Sequence, residues 1–158
     1  MNIRMGESMI SPEPIFSIRC EVANILDLGP APFGHRRVVN LLGGTVTGAK
    51  LSGRIVPGGA DWQIMAADGA LDIHARYTIE SNAGALIQVD SRGVRNGPPE
   101  IMTRLGRGED VDPSLYYFRT VMRFETGHPD TRWLNRILAL AKGARERNAV
   151  KLEVYEVL

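Results

Sequence analysis

An alternation of apolar and polar residues constrains the fold of this chain more than any other feature of its sequence. From Phe16 to Val22 the even positions are apolar, while Ser17, Arg19 and Glu21 occupy the opposite phase. Successive side chains of a β-strand point to opposite faces, so this pattern is typical of a half-buried strand. Similar runs recur, separated by glycine-rich turns at intervals of about 8–12 residues. The pattern predicts an all-β fold, either an antiparallel sandwich or a closed barrel.

Seven further segments have the composition of strands: 36–46, 50–56, 61–66, 71–81, 86–92, 116–125 and 150–157. The joints between segments carry residues that break regular structure, among them Gly29-Pro30, Gly43-Gly44, Pro57-Gly58-Gly59 and Asn82-Ala83-Gly84. The exception to the strand pattern follows Gly97-Pro98-Pro99, where Ile101, Met102 and Leu105 fall at helical spacing. One short helix is therefore predicted around residues 99–106.

The segment from residue 133 to residue 147 is ambiguous. Trp133, Leu134, Ile137, Leu138 and Ala141 follow a helical period, and this pattern alone favours a helix over residues 135–147.

Size and composition limit the class of protein. The 158 residues fit one domain over residues 1–158, with residues 1–14 as an N-terminal extension. The net charge of +1 favours neither a nucleic-acid nor a membrane partner. Because no signal peptide and no apolar run of about 18 residues is recognised, a cytoplasmic protein is expected. The single cysteine, Cys20, lies on an alternating segment and is expected to be a small core residue.

Arginine supplies most of the positive charge, with 16 arginines against 3 lysines. A guanidinium group binds carboxylates in a bidentate manner, although a high genomic GC content would also enrich arginine. On the strand from Tyr116 to Glu125, the residues Arg119, Arg123 and Glu125 share one face. That face is either a solvated outer surface or, in a barrel, the lining of the lumen. Arginines that converge inside a barrel require carboxylates or an anionic ligand, which suggests an acid-binding site.

The run Pro57-Gly58-Gly59-Ala60-Asp61-Trp62 places a carboxylate and an aromatic ring directly behind a turn. A small organic ligand would meet both groups at such a corner. The phosphate-binding loop and the Gly-x-Ser-x-Gly elbow do not occur, and the three histidines lie far apart. Neither a metal nor a cofactor is therefore expected.

A series of short motifs in order is similar to domain-of-unknown-function family 3237, which comprises small bacterial and fungal proteins. The matches extend from about residue 15 to residue 158 and include Ala75-Arg76-Tyr77, Tyr117-Phe118-Arg119-Thr120, Phe124-Glu125-Thr126-Gly127 and Trp133-Leu134-Asn135. The chain departs from the family pattern at His74, where an acid is common, and at Asn82-Ala83-Gly84, where an acid is expected before the glycine.

The resemblance implies a compact antiparallel β-barrel with little helix that forms a homo-oligomer. It also implies that residues 137–147 form strand and turn rather than helix, since tertiary context overrides a weak propensity. The matching positions carry over as pocket lining, namely Asp61, Trp62, Arg76, Tyr77, Arg92, Arg119, Glu125, Trp133 and Asn135.

Three functional hypotheses follow. The first is a cofactor-independent isomerase, lyase or lactone hydrolase that acts on a small carbonyl or carboxylate compound. In it, Arg76 and Arg119 hold an oxyanion or carboxylate, Asp61 or Glu125 moves a proton, and Trp62 stacks on the substrate. The second is a non-catalytic module that binds an organic acid. The third is a structural oligomer whose charges pair internally.

Overall fold

The computed structural model describes residues 6–158, so residues 1–5 of the predicted N-terminal extension lie outside the described residues. The strands are β1 (Phe16–Val22), β2 (Leu26–Ala31), β3 (Gly34–Thr47), β4 (Gly53–Met65), β5 (Leu71–Ser81), β6 (Leu86–Asn96), β7 (Tyr117–Glu125), β8 (Ala139–Arg145) and β9 (Ala149–Glu156). Helix α1 (Pro99–Gly106) follows β6, and two 3₁₀ segments cover Pro113–Leu115 and Pro129–Arg136.

The strands form one antiparallel sheet that closes on itself. The order is β1-β9-β8-β7-β6-β5-β4-β3-β2, and an additional pairing between β1 and β3 completes a ring of eight strands. In that pairing Ser17 is opposite Thr47 and Ile18 is opposite Val46. β2 lies outside the ring at the end of the order, where it pairs with the first residues of β3 in an antiparallel hairpin. The predicted antiparallel β-barrel is confirmed.

The predicted strand boundaries are wrong in β4. The segments predicted at 50–56 and 61–66 are parts of this one strand, and the turn predicted between them at Pro57-Gly58-Gly59 does not form. The pairing with β5 shifts between Val56, opposite Thr78, and Ala60, opposite Arg76. Residues 57–59 of β4 therefore lie opposite the single residue Tyr77 of β5. They form a bulge within the continuous strand β4. Glycine and proline produced the false turn signal because bulges and turns favour the same residues.

Two further strands differ from what the local pattern indicates. β2 was not predicted, because Gly29-Pro30 disrupts its pattern and its pairing with β3 shifts between Asp27 and Gly29. Residues 139–145 form β8, so the helix favoured by the local pattern is wrong and the strand implied by the family resemblance is confirmed. Pairing with β7 and β9 on both sides satisfies the backbone of β8, which outweighs its helical propensity.

Helix α1 forms at the predicted residues and covers one end of the barrel. Its buried residues, Ile101 and Leu105, face inward, and the groove beside it contains Leu71 and Arg95 at the neighbouring strand ends. The opposite end is packed by apolar side chains that are almost entirely buried, which are Ile55, Ile79, Ile87, Val89 and Met122. Cys20 is buried in the core as expected. Among the described residues, none of the helices combines the length and apolar character needed to span a bilayer.

Candidate functional site

The interior of the barrel contains a group of polar side chains between its apolar end and helix α1. A cavity of about 50 Å³ lies there, and aliphatic side chains of β1, β3 and β9 form part of its wall. The polar side chains that line it come from strands β4 to β8 and are Asp61, Gln63, Tyr77, Ser91, Arg95, Thr120 and Arg145. Since strand residues alternate between faces, these side chains occupy the inward phase that elsewhere holds the core.

A chain of hydrogen bonds fixes the carboxylate of Asp61. Arg37 donates from Nε and Nη2 to Gln63 Oε1 at 3.1 and 2.7 Å. Gln63 Nε2 donates to Asp61 Oδ2 at 2.8 Å, and the backbone N–H of His74 donates to Asp61 Oδ1 at 3.1 Å. Each oxygen of Asp61 therefore accepts one bond from the protein, which holds the carboxylate in one orientation.

Three arginines share this interior with Asp61. Arg37, Arg95 and Arg145 are 8%, 3% and 7% exposed. Burial lowers the pKa of Arg95 to about 10, and repulsion from Arg145 contributes to the decrease. Burial also lowers the pKa values of Arg37 and Arg145. Positive charge thus exceeds negative charge at this end of the barrel.

In the same environment the pKa of Asp61 changes in the opposite direction to the pKa values of the arginines. Burial raises the pKa of its carboxyl group, and the hydrogen bond from Gln63 and the charge of Arg95 offset part of this increase. A carboxyl group whose pKa is shifted towards neutrality is suited to both accept and donate a proton.

Four buried polar atoms have no hydrogen-bond partner within residues 6–158: Tyr77 Oη, Arg95 Nε, Thr120 Oγ1 and Arg145 Nη1. All four belong to side chains that line the same cavity. A buried polar atom without a partner destabilises a protein by about 1–3 kcal/mol, so four of them around one cavity require an explanation.

A groove on the surface shares the lining residue Arg95 with this interior. It has a volume of about 630 Å³ and lies between α1 and the turn that joins β4 to β5. Arg37 and Arg95 form part of its lining, and Arg95 also lines the cavity. The guanidinium group of Arg95 lies 5.3 Å from the ring centre of Phe118, which restricts its position. Arg95 therefore stands between the groove and the cavity.

The structure divides the residues that the sequence proposed for one pocket. Asp61 and Tyr77 line the cavity. Four others lie together on the outside of the barrel, in an open groove of about 580 Å³, and these are Arg76, Arg92, Glu125 and Asn135. The remaining three lie elsewhere and are Trp62, Arg119 and Trp133.

The outer groove is organised around Asp90. His74 Nε2 lies 3.1 Å from Asp90 Oδ2, and the Nε atoms of Arg92 and Arg76 lie 3.3 and 3.6 Å from its carboxylate. Burial would raise the pKa of Asp90, but the hydrogen bonds from His74 and Arg92 outweigh it and lower the pKa. His74, which replaces the acid common in the family pattern, thus pairs with Asp90. These are exposed ion pairs, which contribute little to stability.

The other predicted residues have surface or structural contacts. Trp62 is 54% exposed. Arg119 lies on the outer phase of β7, where its guanidinium group is 5.2 Å from the ring centre of Tyr117. Lys50 Nζ lies 5.3 Å from the ring centre of Trp133. Asn135 accepts a hydrogen bond from the N–H of Thr126 at 2.8 Å and donates to its carbonyl at 2.9 Å, so it anchors the turn after β7.

Sequence reasoning missed most of the polar side chains inside the barrel, including Arg37, Gln63, Arg95 and Arg145. A signal was available for the arginines, because Arg37 shares its phase with Val39 and Leu41, and Arg95 shares its phase with Val89. A charged residue on the apolar phase of a strand indicates a polar lumen. The predicted strand 86–92 ended before Arg95, so that its phase was not considered.

Among residues 6–158, no three His, Cys, Asp or Glu side chains lie close enough together to hold a metal ion. Separately, the excess of buried arginine in the interior would attract an anion.

Comparison with known proteins agrees with the architecture. A crystal structure of a conserved protein of unknown function from Rhodopseudomonas palustris has a TM-score of 0.88 at 37% identity, and the match covers 96% of this chain and 99% of that chain. An enzyme from Penicillium herquei matches with a TM-score of 0.70 at 18% identity, over 99% of this chain and 100% of that chain, which shows the fold alone.

Sequence comparison gives the family. The chain is 40% identical over 144 residues to the UPF0311 protein of Bradyrhizobium diazoefficiens, which covers 91% of this chain and 94% of that protein. The family described as "Protein of unknown function (DUF3237)" matches residues 10–157. The chain therefore belongs to the DUF3237 family.

Proposed function

We propose that the barrel interior binds a small organic anion and that Asp61 exchanges a proton with it. The protein would then be a cofactor-independent isomerase, lyase or lactone hydrolase acting on a small carbonyl or carboxylate compound. The observation that carries this proposal is the set of four unpartnered polar atoms around one cavity, beside an excess of buried arginine. A bound anion would supply acceptors for the two guanidinium groups and an oxygen for the two hydroxyl groups.

Each group has a role in this proposal. Arg95 and Arg145 hold the carboxylate or oxyanion, which is the usual role of guanidinium groups in a site shielded from water. Asp61 is the general acid–base, since burial raises its pKa and its carboxylate is held by Gln63. Tyr77 and Thr120 contact a second oxygen. The Penicillium herquei neighbour, which is described as an enzyme, supports the suitability of this barrel for catalysis through its fold alone.

Anion binding is tested with sodium acetate as the probe. Acetate is expected to raise the melting temperature of the protein above that in sodium chloride of equal ionic strength. In Arg145→Lys the acetate-dependent shift should be lost, because lysine cannot reproduce the planar fork of donors. Arg147→Lys, at an exposed position two residues away, is the matched control and should keep the shift. An equal shift in the two variants would contradict the proposed site.

Catalysis is tested by proton exchange. Exchange of the methyl protons of pyruvate in D₂O is followed by NMR, and hydrolysis of γ-butyrolactone is followed in parallel. Asp61→Asn should lower any catalysed rate by about 10²–10⁴-fold while anion binding persists, as expected for loss of a general acid–base. Glu125→Gln should leave the rate unchanged, because Glu125 lies in the outer groove.

The same pair of variants distinguishes the alternatives. Loss of the rate in Glu125→Gln alone would move the site to the outer groove. Anion binding without turnover of either compound would favour the non-catalytic organic-acid-binding module. If no anion binds, the structural oligomer is the better interpretation.

A further inference from the structure

We infer that the ligand of the barrel interior is a carboxylic acid with an apolar body, and that this body lies in the groove beside α1 while the carboxylate reaches Arg95 and Arg145. This inference rests on the proposed function and specifies its substrate class. The small size of the cavity, the position of Arg95 and the composition of the groove wall support it.

The cavity is too small to hold more than the head group of such a ligand. Its volume of about 50 Å³ corresponds to about three to five water molecules, at roughly 10–15 Å³ each. A carboxylate group and the carbon next to it are of about this size. Pockets for small molecules usually have volumes of about 300–1,000 Å³, so the remainder of a ligand needs a second space.

The groove between α1 and the turn that joins β4 to β5 offers that space, with a volume of about 630 Å³. Arg95 lines both the groove and the cavity and is only 3% exposed. Its Nε atom and the Nη1 atom of Arg145 have no hydrogen-bond partner within residues 6–158. A carboxylate bound at Arg95 is therefore adjacent to both spaces, and the body attached to it can extend into the groove.

The wall of the groove is mainly apolar. Its apolar lining residues come from both sides and are Met65, Ala67, Leu71, Pro99, Met102 and Leu105. Met65 and Met102 are only half-buried, so they present apolar surface to the groove. Methionine is flexible and polarizable, and it adapts to ligands of different shape. A wall of this kind favours an aliphatic or aromatic body over a polar one.

Charge favours one carboxylate in the cavity. Arg95 and Arg145 line the cavity with Asp61, which leaves one positive charge there. Arg37 does not line the cavity but lines the groove together with Asp68, whose charge is opposite. The head group of a monocarboxylic acid would therefore neutralise the cavity, whereas a second carboxylate on the body would meet Asp68.

Isothermal titration with four compounds at constant pH and ionic strength tests this inference. Acetate has the head group alone, hexanoate adds an apolar body, adipate ends the same body in a second carboxylate, and hexanamide replaces the carboxylate of hexanoate with a neutral amide. Hexanoate is expected to bind about tenfold more tightly than acetate or better, because its methylene groups leave water for the groove. It should also bind more tightly than adipate, and hexanamide should give no binding heat.

Methionine-to-glutamine substitutions locate the body of the ligand. Met65→Gln and Met102→Gln each change one side of the groove with little change in side-chain length, and both positions are half-buried, so the variants are expected to fold. The advantage of hexanoate over acetate should decrease in each, while the affinity for acetate stays unchanged. Met9→Gln is the matched control, because Met9 is 65% exposed and does not line the groove. An unchanged advantage of hexanoate in both groove variants would overturn the assignment of the groove.

A variant in the cavity tests whether the head group and the body belong to one bound molecule. Arg145 lines the cavity but not the groove. In Arg145→Lys the binding heat of hexanoate should therefore be lost together with that of acetate. If hexanoate keeps its affinity in this variant, it lies in the groove alone and the inference is wrong.

The remaining outcomes separate this inference from the proposed function. Equal binding of acetate and hexanoate would overturn the apolar body, and tighter binding of adipate than of hexanoate would overturn the uncharged body. In these two cases a carboxylate still binds and the proposed site remains. Binding of hexanamide at the affinity of hexanoate would overturn the carboxylate head group of the inferred ligand. If neither acetate nor hexanoate gives heat that Arg145→Lys abolishes, the proposed function itself fails.

Discussion

At the residue scale, two buried tyrosines differ in whether their hydroxyl groups are satisfied. Tyr116 Oη accepts a hydrogen bond from the N–H of Arg145 at 2.8 Å, whereas Tyr77 Oη has no partner within the described residues. We therefore expect Tyr77→Phe to raise the free energy of unfolding by about 1 kcal/mol, because it removes an unsatisfied buried hydroxyl. Tyr116→Phe should lower it by about 1–2 kcal/mol, because it leaves the N–H of Arg145 without an acceptor.

Urea denaturation of the two variants measures this difference. If Tyr77 is retained for ligand binding at the expense of stability, the two substitutions should change the free energy of unfolding in opposite directions. If both substitutions destabilise the protein equally, Tyr77 has a structural role and its place in the ligand site is wrong.

The raised pKa of Asp61 gives a defined pH dependence of stability. Its pKa in the folded protein lies above the ordinary value of 3.8. Between these two values the folded state holds a proton that the unfolded state has released, so stability decreases as the pH rises through this window. Relative to Asp61→Asn, the wild type should therefore be most stable below pH 3.8 and lose this advantage as the pH rises through the folded pKa.

Chemical denaturation of both proteins across this pH range provides the measurement. The difference in unfolding free energy should level off above the folded pKa of Asp61. A difference that grows with pH would mean that the pKa is lowered, with the arginines outweighing burial.

At the scale of elements, the bulge in β4 lies two residues before Asp61 and packs closely against β5. A Cβ atom added at Gly59 would lie 2.6 Å from the carbonyl oxygen of Arg76 and 2.6 Å from Cβ of Tyr77. We expect Gly59→Ala to destabilise the protein by about 1–3 kcal/mol, since the neighbouring backbone must move. Because β4 also carries Asp61, the acetate-dependent thermal shift should decrease in the same variant.

Gly127→Ala is the matched control, because a Cβ atom at Gly127 has nothing within 4 Å. Its effect on unfolding should stay within about 0.5 kcal/mol. Equal effects of the two substitutions would show that close packing of the bulge against β5 does not matter.

At the scale of the whole molecule, the homo-oligomer implied by the family resemblance remains a prediction. Three exposed apolar side chains lie near one another in sequence on β2 and the turn after it, where Leu26, Leu28 and Phe33 are 53%, 59% and 83% exposed. Surfaces of this kind are typical of protein interfaces. Light scattering should give a mass that is a multiple of 17.4 kDa, and Phe33→Asp should shift it towards the monomer. A wild-type mass of 17.4 kDa would contradict the prediction.

Much of the barrel was predictable because its determinants are local. Alternation located β1, β5 and β7, and proline followed by helical spacing located α1. The errors at β2 and β4 have a common cause, since glycine at a turn and glycine at a bulge give the same signal. The resemblance corrected β8, where local propensity was misleading, because it reflects tertiary context that a single segment does not contain.

The site was less predictable than the fold. The alternating pattern establishes which residues share a face of a strand, but not which face is turned inward once the sheet closes. Of the residues that line the cavity, Asp61 and Tyr77 were predicted as pocket lining, whereas Arg95 and Arg145 were not, and Arg76 and Glu125 lie on the outer surface.

The sequence by itself determined an antiparallel all-β chain with one short helix, because strand alternation and a proline followed by helical spacing depend on neighbouring residues. The tertiary structure alone decided that three arginines and one aspartate meet in the interior. These residues are distant in sequence, and their meeting depends on the register of strands β3 to β8 and on the closure of β1 against β3, which brings the two edges of the sheet together.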